Sequence, residues 1–445
     1  MIIFSNAKTV IDEAIQRLKY DAIEKYHKSR DMLIDYYTFN HTERYIAKYF
    51  SHNLREEIPL YPVNMTRRLI SRISMVYKEA PIRNVDSDDY FNLIRKGRKD
   101  FELKKLERLH NLIGTMALRV HWKEGMGLCY YPIMNFEPVF DENDSMNPMG
   151  IVYAVPKATG SRYQVGEGDT YVYWSHDEHF MFDDKGNIIS INDNDVNPYG
   201  TIPFTFLQPA SQIDEFWNEG EASDIGIANT EIDIAMTMLQ HHIRSAGGQY
   251  VIEGVVDTKE VRLGLNKVVA LENASMNNIS NSVNINEIIE GIKFQLQNVA
   301  QNHHITFDFG LSGSKSGTAL KIENLELMEA REDDAEKFGF FEHDLYNLER
   351  KIVEVETGTV LPEEFSVDFA EMDFPDIERE REEWDWKFNH GLADKLDYLM
   401  EKDPDKFPDR ESAEAYMTER KKSEVTIKKQ ADVKENIFQL RRNGG

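Results

Sequence analysis

A single cysteine, Cys129, occurs among the 445 residues. One thiol cannot form an internal disulfide or a cysteine-based zinc site, and in the run GLCYY it reads as a buried strand residue. Long apolar runs are missing too. No stretch of eighteen consecutive apolar residues exists, and the N-terminal MIIFSNAKTVIDEAIQRLKYD has no small-residue cleavage site of the kind that ends a signal peptide. Synthesis in the cytoplasm without a membrane span is the expectation. Basic charge is in deficit: 52 Lys and Arg stand against 78 Asp and Glu, a net charge of -26. A protein that grips DNA by its backbone needs a basic face, because phosphate neutralisation supplies most of the sequence-independent affinity. This balance argues against grip. The surplus carboxylates serve solubility, or they repel phosphate from whatever surface they line.

Catalytic signatures are absent as well. There is no HExxH, no paired Cys, no carboxylate signature of a two-metal nuclease and no nucleophile elbow. The chain is not expected to be an enzyme or to hold a cofactor or a metal. His241-His242 and His303-His304 invite a metal reading, but neighbours on a helix point about 100° apart, so neither pair offers two nitrogens to one ion. They read as helix-face or subunit-contact residues. The acidic links Asp141 to Asp144 and Asn192 to Asp195 lack the twelve-residue spacing, central Gly and terminal Glu of a calcium loop.

What is present is long helical periodicity around one small turn. Asn284 and Glu287 stand at N-cap and N3 spacing, and Ile285, Ile289, Ile292, Leu296 and Val299 then mark one narrow apolar stripe. A second seam runs through Phe338, Phe341, Leu345, Leu348, Ile352 and Val355. An unbroken helix from Thr318 to Glu356 would measure roughly 58 Å, enough to bridge parts of a larger body. Between the two lies Gly310-Leu-Ser-Gly-Ser-Lys-Ser-Gly317, whose glycines and serines supply backbone freedom around one charge, Lys315. A phosphate loop would need Gly-Lys-Ser/Thr behind an apolar strand. Here Lys315 is followed by Ser316 and Gly317 and a helix precedes, which argues against a nucleotide site.

Upstream, residues 1 to about 55 have helical spacing (Ile11, Ala14, Ile15, Leu18), with Tyr36, Tyr37, Phe39, Tyr45, Tyr49 and Phe50 packing a helical layer. Pro59 and Pro62 interrupt it. A helix is expected from Thr66 to Lys78, carrying the basic cluster Arg67, Arg68 and Arg72, and another from Phe101 to Gly114. Alternating strands then build an antiparallel module over about 115 to 207, with Asp184-Lys-Gly-Asn187 as a hairpin turn. A strong helix follows over Glu219 to Ala246, striped by Ile225, Ala228, Ile232, Ala235, Leu239 and Ile243. Short strands over Tyr250 to Asn284 separate it from the next helix.

Ser316-Gly-Thr-Ala-Leu-Lys321, opening a long acidic helix, resembles the tunnel-loop region of tailed-bacteriophage portal proteins of the head-to-tail connector type. Three other stretches agree with that family in order: Tyr77-Lys-Glu-Ala-Pro81, Asn197-Pro-Tyr-Gly-Thr-Ile-Pro-Phe204, and Gly391-Leu-Ala-Asp-Lys-Leu-Asp-Tyr-Leu399 with Asp403-Pro-Asp405. Together they cover most of residues 60 to 425. Ala393 departs from the pattern, standing where a capping Ser is expected.

The resemblance implies an α+β portal fold. Its parts would be a wing over 1–218 (N-terminal helices plus antiparallel β-module), a first stem helix over 219–248, a small β clip over 249–284, a second stem helix over 285–306 and a tunnel loop over 307–318. A long wing helix with its following segment over 319–374, a helical crown over 375–430 and a flexible tail over 431–445 would complete it. A homo-oligomeric ring of about twelve chains would stand at one capsid vertex of the virion, as the channel for genome packaging and ejection. Ile225, Ile232, Leu239, Ile292, Leu296 and Val299 would pack the stem. Gly310, Ser312, Gly313, Ser314, Lys315, Ser316 and Gly317 would face the DNA, and a ring of lysines would give weak, non-directional phosphate contact that suits a sliding duplex. The implied partners are further copies of the chain, double-stranded DNA, the terminase large subunit, a head-completion or tail adaptor and the major capsid or scaffolding protein, with no membrane. From the residues alone, a cytoplasmic helical scaffold or adaptor without DNA contact is the alternative, although Gly339 and the β-module fit a plain coiled coil poorly.

Overall fold

The computed structural model describes residues 2–3, 7–20, 24–57, 59–144, 146–155, 170–189, 195–209, 216–217, 222–245, 249–254, 274–279, 285–305, 325–370, 377–402, 406–418 and 420. A short strand β1 (Ile2–Ile3) precedes four helices, α1 (Ala7–Tyr20), α2 (Glu24–Thr38), α3 (Glu43–Ala47) and α4 (His52–Glu57). Next come α5 (Met65–Ile73), β2 (Ile82–Asn84), α6 (Asp88–Lys96) and α7 (Lys99–Ile113). The strands β3 (Met116–Lys123), β4 (Gly127–Ile133), β5 (Phe136–Phe140), β6 (Gly150–Val155), β7 (Thr170–Ser175), β8 (His179–Asp183), β9 (Ile188–Ile189) and β10 (Phe204–Leu207) follow. Then come α8 (Ser223–Ser245), β11 (Gln249–Gly254), β12 (Ala274–Ile279), α9 (Ile285–Asn302), α10 (Leu325–Thr357), β13 (Ser366–Asp368), α11 (Ile377–Asn389) and α12 (Lys395–Lys402). The class is α+β. The chain divides into two compact units, residues 1–308 with 324–371, and residues 309–323 with 372–445.

The expected antiparallel module is two sheets. One has the order β1-β5-β6-β7-β8-β9, the other β10-β3-β4. Every pairing is antiparallel except β1 on β5, where Ile2 lies opposite Val139, so the N-terminus adds a parallel edge that alternation alone did not indicate. Successive strand residues point to opposite faces, and both faces are covered. Val152, Tyr171 and Tyr173 meet Val10, Ile11 and Ala14 of α1 on one side. Ile151, Val172 and Trp174 meet Phe204 and Phe216 on the other. The turn at 184–187 is as expected, with Gly186 at φ 82° and the Asp183 amide donating to the Asn187 carbonyl at 3.0 Å. Cys129 is buried in β4.

In the second unit, Trp384 of α11 is buried against Phe388 and, edge-on, Tyr398 of α12, at centroid distances of 5.5 and 5.0 Å. The cap that Ala393 cannot supply comes from its neighbour. Asp394 Oδ1 accepts from the amides of Leu396 and Asp397 at 2.8 and 3.0 Å, and Asp397 Oδ2 accepts from the Asp394 amide at 2.7 Å, a reciprocal capping box. Asp394 thereby caps α12, which begins at Lys395.

The first unit is assembled on a buried set of charges. The helix expected over 66–78 stops at Ile73, because the amides of Val76 and Tyr77 turn away to donate to the Glu107 carboxylate of α7 at 2.7 and 3.1 Å. This presents Tyr77 to α10. The corner from α6 to α7 lies directly on β4: a Cβ at Gly97 would stand 2.0 Å from the Leu128 carbonyl oxygen, so only glycine fits. Lys99, two residues on, is thereby carried into the interior. Its ammonium bridges Glu342 and Glu349 of α10 at 3.0 Å each. Arg83 of β2 chelates the Glu342 carboxylate at 2.6 and 3.1 Å and reaches Asp100 at 2.6 Å. Three phenols complete the shell: Tyr77 donates to Glu342 at 3.1 Å, and Tyr90 and Tyr130 to Glu349 at 2.8 and 2.6 Å. Lys99, Arg83, Glu342 and Glu349 are all buried, two cations against two anions.

Around them Phe338, Phe341, Leu345, Leu348 and Ile352 form the expected seam of α10, whereas Val355 is exposed in the last turn before Gly358 ends the helix. Burial pushes the Glu342 carboxyl up, and the Lys99 and Arg83 charges outweigh it and hold it at about 2. Its folded pKa lies below the unfolded one, so its stabilisation is present above the ordinary carboxylate range and lost as pH falls toward about 2.

Lys99→Met is expected to lower the unfolding free energy by about 3–5 kcal/mol, since it strands a buried carboxylate. Lys293→Met, which removes a partly exposed pair to Glu290, should cost no more than about 0.5 kcal/mol. Urea unfolding of the two variants checks the contrast, and equal losses would deny the buried set its role.

Candidate functional site

Two helices and the strand pair between them form the candidate site. β11 and β12 pair antiparallel from Gln249 opposite Ile279 to Gly254 opposite Ala274, and α8 and α9, which flank them in sequence, pack on one another. Of the stem residues, Ile225, Ile232 and Leu239 on α8 and Ile292 and Val299 on α9 are buried, and Leu296 is half-buried. Ile243, the last member of the α8 stripe, is exposed at 49%. The opposite face of α9 carries Glu287, Glu290, Gln297, Asn298 and Gln301, all exposed, with Phe294 as the one large apolar side chain there. α9 is therefore amphipathic in the strict sense, with one flank against α8 and the other polar and acidic.

α8 has a second buried face, and it is polar. Asn229, Asp233 and Thr237 recur at every fourth residue and are buried along the extended segment that follows Pro59. Thr237 Oγ1 accepts from the Tyr61 amide at 3.0 Å, Asp233 Oδ1 from the Val63 amide at 2.8 Å, and Asn229 Oδ1 from the Thr66 amide at 3.0 Å, while Asn229 Nδ2 donates to the Val63 carbonyl at 3.0 Å. Four helical residues rise about 6 Å, and two extended residues about 6.6 Å. That near-match lets Thr237 and Asp233 read the alternate amides of Tyr61 and Val63 on an extended segment running the other way, and Asn229 takes the Thr66 amide in the first turn of α5. The segment has no sheet partner, so these side chains satisfy backbone groups that would otherwise be stranded. Tyr36 of α2 bonds Thr230 at 2.9 Å, and a Cβ at Gly226 would meet the Leu33 side chain at 2.8 Å, so α2 also sits close against α8. This row escaped sequence reading, which followed apolar periodicity; the four-residue repeat of small polar residues was its visible signal.

At the other end of the pair, α9 closes on the start of α8. His304 adopts φ 56° to end the helix, and His303 Nε2 lies 2.9 Å from Asp224 Oδ1 while Asn302 donates to Asp224 Oδ2 at 3.0 Å. Burial pushes Asp224 up, and these two partners outweigh it and hold its carboxyl below the usual range. His304 turns to Glu326 at 3.7 Å. The two histidines thus face different carboxylates. The His241 and His242 rings are 5.6 Å apart and tilted. Among the described residues no cluster of metal-ligating side chains occurs, and no helix is long and apolar enough to cross a membrane. Asp141 and Asp144 spend their carboxylates on turn amides, those of Asn143, Met146 and Asn147. Gly310, Ser312, Gly313, Ser314, Lys315, Ser316 and Gly317 lie outside the described residues, as does most of the 249–284 region beyond its two strands.

Burial raises Asp233 to about 7, against the opposing bonds from Val63 and Asn229, and its Oδ2 finds no partner among the described residues. A carboxyl raised above its unfolded pKa stabilises at low pH, and that contribution is lost as pH rises through about 7. Asp233→Asn keeps the acceptor for Val63 and removes the ionisation. The variant should match the parent near pH 5 and exceed it at pH 8 by about 1–3 kcal/mol. Denaturant unfolding at the two pH values decides, and an unchanged difference would remove Asp233 from the pH response.

No family model matches the chain, and no curated protein matches it. Among solved structures it is similar to a chain in the virion of a native gene transfer agent particle, at 12% identity over 77% of this chain and 90% of that one, with a TM-score of 0.41. A chain from the neck of the native particle, computed with C12 symmetry, is 11% identical over 74% of this chain and 87% of that one, with a TM-score of 0.41. One from the neck of the empty particle, computed with C6 symmetry, is 12% identical over 78% and 91% of the two chains, with a TM-score of 0.43.

Proposed function

We propose that the chain is a portal-type subunit. Identical copies would close a ring at one capsid vertex, form the channel for genome packaging and ejection, and offer a platform for the terminase and the head-to-tail adaptor. The observation that carries this reading is the succession of elements: a 23-residue helix, an antiparallel strand pair, an 18-residue helix packed back on the first, the Gly/Ser/Lys peptide, and a 33-residue helix anchored in the β-body. Stem helix, clip, stem helix, tunnel loop and long wing helix follow one another in that order in the family which the sequence resembles.

In this reading α8 and α9 wall the channel, and the polar face of α9, with Glu287 and Glu290, turns to the lumen. Carboxylates repel a passing duplex, and the lysine at 315 supplies the weak counter-contact. β11 and β12 form the docking clip. The subunit performs no covalent chemistry, and nucleotide hydrolysis belongs to the terminase. Virion location follows from the same assignment.

Negative-stain images and light scattering of the purified chain test the ring: a closed annulus of about a dozen copies is expected, and a dimer or trimer favours the helical scaffold. In a packaging assay, Lys315→Ala and a shortened 310–317 loop should each reduce the DNA packaged or retained. Unchanged packaging in both variants removes the loop from the mechanism.

A further inference from the structure

The end of α9, the first turns of α10 and the last turns of α7 line a partly open pocket of about 80 Å³. Its lining is rich in nitrogen: Asn111, Asn302, His303, His304, Arg331 and Lys337. One carboxylate, Asp334, lines it as well and is taken by Lys337 at 2.7 Å. His303 faces Asp224 and His304 faces Glu326. His110, also in the wall, commits Nδ1 to the Gly114 carbonyl at 2.8 Å.

That leaves Arg331. It is 8% exposed, its Nη2 donates to the Ala370 carbonyl, and its Nε has no partner among the described residues. No carboxylate lies within ion-pair distance of it among the described residues, although the α10 segment around it is acidic. A guanidinium taken out of water without a counter-ion is costly. With Nη2 on the Ala370 carbonyl and Nε sealed in the packing, Nη1 is the guanidinium nitrogen left to meet an oxyanion oxygen with a charged hydrogen bond. The void is several times the space one water needs, so a tetrahedral oxyanion fits it.

We propose that this cavity is a binding site for a phosphate-type oxyanion, with Arg331 as the principal donor and the Lys337 ammonium as the second. The ligand is either a free phosphate or sulfate ion or one phosphodiester of a nucleic acid; the chemistry at Arg331 is the same for both. Binding here would join the end of α9 to the start of α10 across the 306–324 peptide, and it does not depend on the chain forming a ring.

Calorimetric titration of the full-length chain with inorganic phosphate, at fixed ionic strength and with sodium chloride as the blank, tests the site. A saturable heat with one ion per chain is expected. Arg331→Gln should weaken it by roughly tenfold or more, the loss of a charged hydrogen-bonding group. Arg331→Lys should lie between the two, because it keeps the charge and loses the planar guanidinium that holds the Ala370 carbonyl. Should Arg331→Gln fail to fold, judged by its circular-dichroism melt in chloride, Lys337→Gln carries the test with a severalfold loss. No saturable heat in the parent, which means that the cavity holds water alone, overturns the proposal, and so do both variants titrating like the parent. A short DNA duplex that displaces bound phosphate identifies a phosphodiester as the ligand, and a duplex that does not identifies the free ion. A chain that binds phosphate without forming rings sinks the portal reading and keeps this site; rings that bind no phosphate do the reverse.

Discussion

Lys99, held at 3.0 Å from both Glu342 and Glu349, is the contact on which the first unit depends. The apolar seam of α10 supplies most of the burial, but a seam of Phe, Leu and Ile tolerates displacement, since one large apolar side chain can replace another at modest cost. The charges do not tolerate it. Sliding α10 by one residue turns Glu342 and Glu349 by about 100° and leaves Lys99 and Arg83 buried without counter-ions. Register is therefore set by electrostatics and strength by burial. Because Tyr77, Arg83, Tyr90, Lys99 and Tyr130 come from five separate segments, fixing α10 also fixes α6, α7, β2 and β4 about it.

The helix pair is tied to this body by different means. α8 offers its apolar flank to α9 and its polar flank to the amides of Tyr61, Val63 and Thr66, so it is held on both sides, with Asp224 paired to His303 in its first turn. Neutral hydrogen bonds of this kind are modest singly and expensive to leave unmade. The outer flank of α9 is polar, with Glu287, Glu290, Gln297, Asn298 and Gln301 exposed. Asp224 and His303 close the pair where α9 ends against the start of α8.

Much of the candidate site could be read in the sequence, because the repeat that builds it is local. Ile225, Ile232, Leu239, Ile292 and Val299 recur at helical spacing and are buried. What could not be read is the identity of the surface each stripe meets. Ile243 and Val355 continue their stripes and are nonetheless exposed, since periodicity tells which flank is apolar and not how far along the helix a neighbour reaches. Glu342 and Glu349 stand seven residues apart beside the α10 seam and look like members of a solvated face. Only the approach of Lys99 and Arg83, some 250 residues away in the chain, makes them interior.

By itself the sequence determined the kinds of element, their order, the apolar flank of each helix, the lack of disulfide chemistry and the acidic surface, all of which follow from residue type and local spacing. The tertiary structure alone decided that the β-module is two sheets with a parallel N-terminal edge, that Thr66 to Lys78 breaks at Ile73 to feed Glu107, and that Asn229, Asp233 and Thr237 serve the amides of the extended segment after Pro59 and of the start of α5. It also decided that Arg331 is buried beside a pocket with no carboxylate paired to it among the described residues. Each of these rests on which groups meet after distant segments close on one another, and charge and hydrogen-bond satisfaction are settled only at that point.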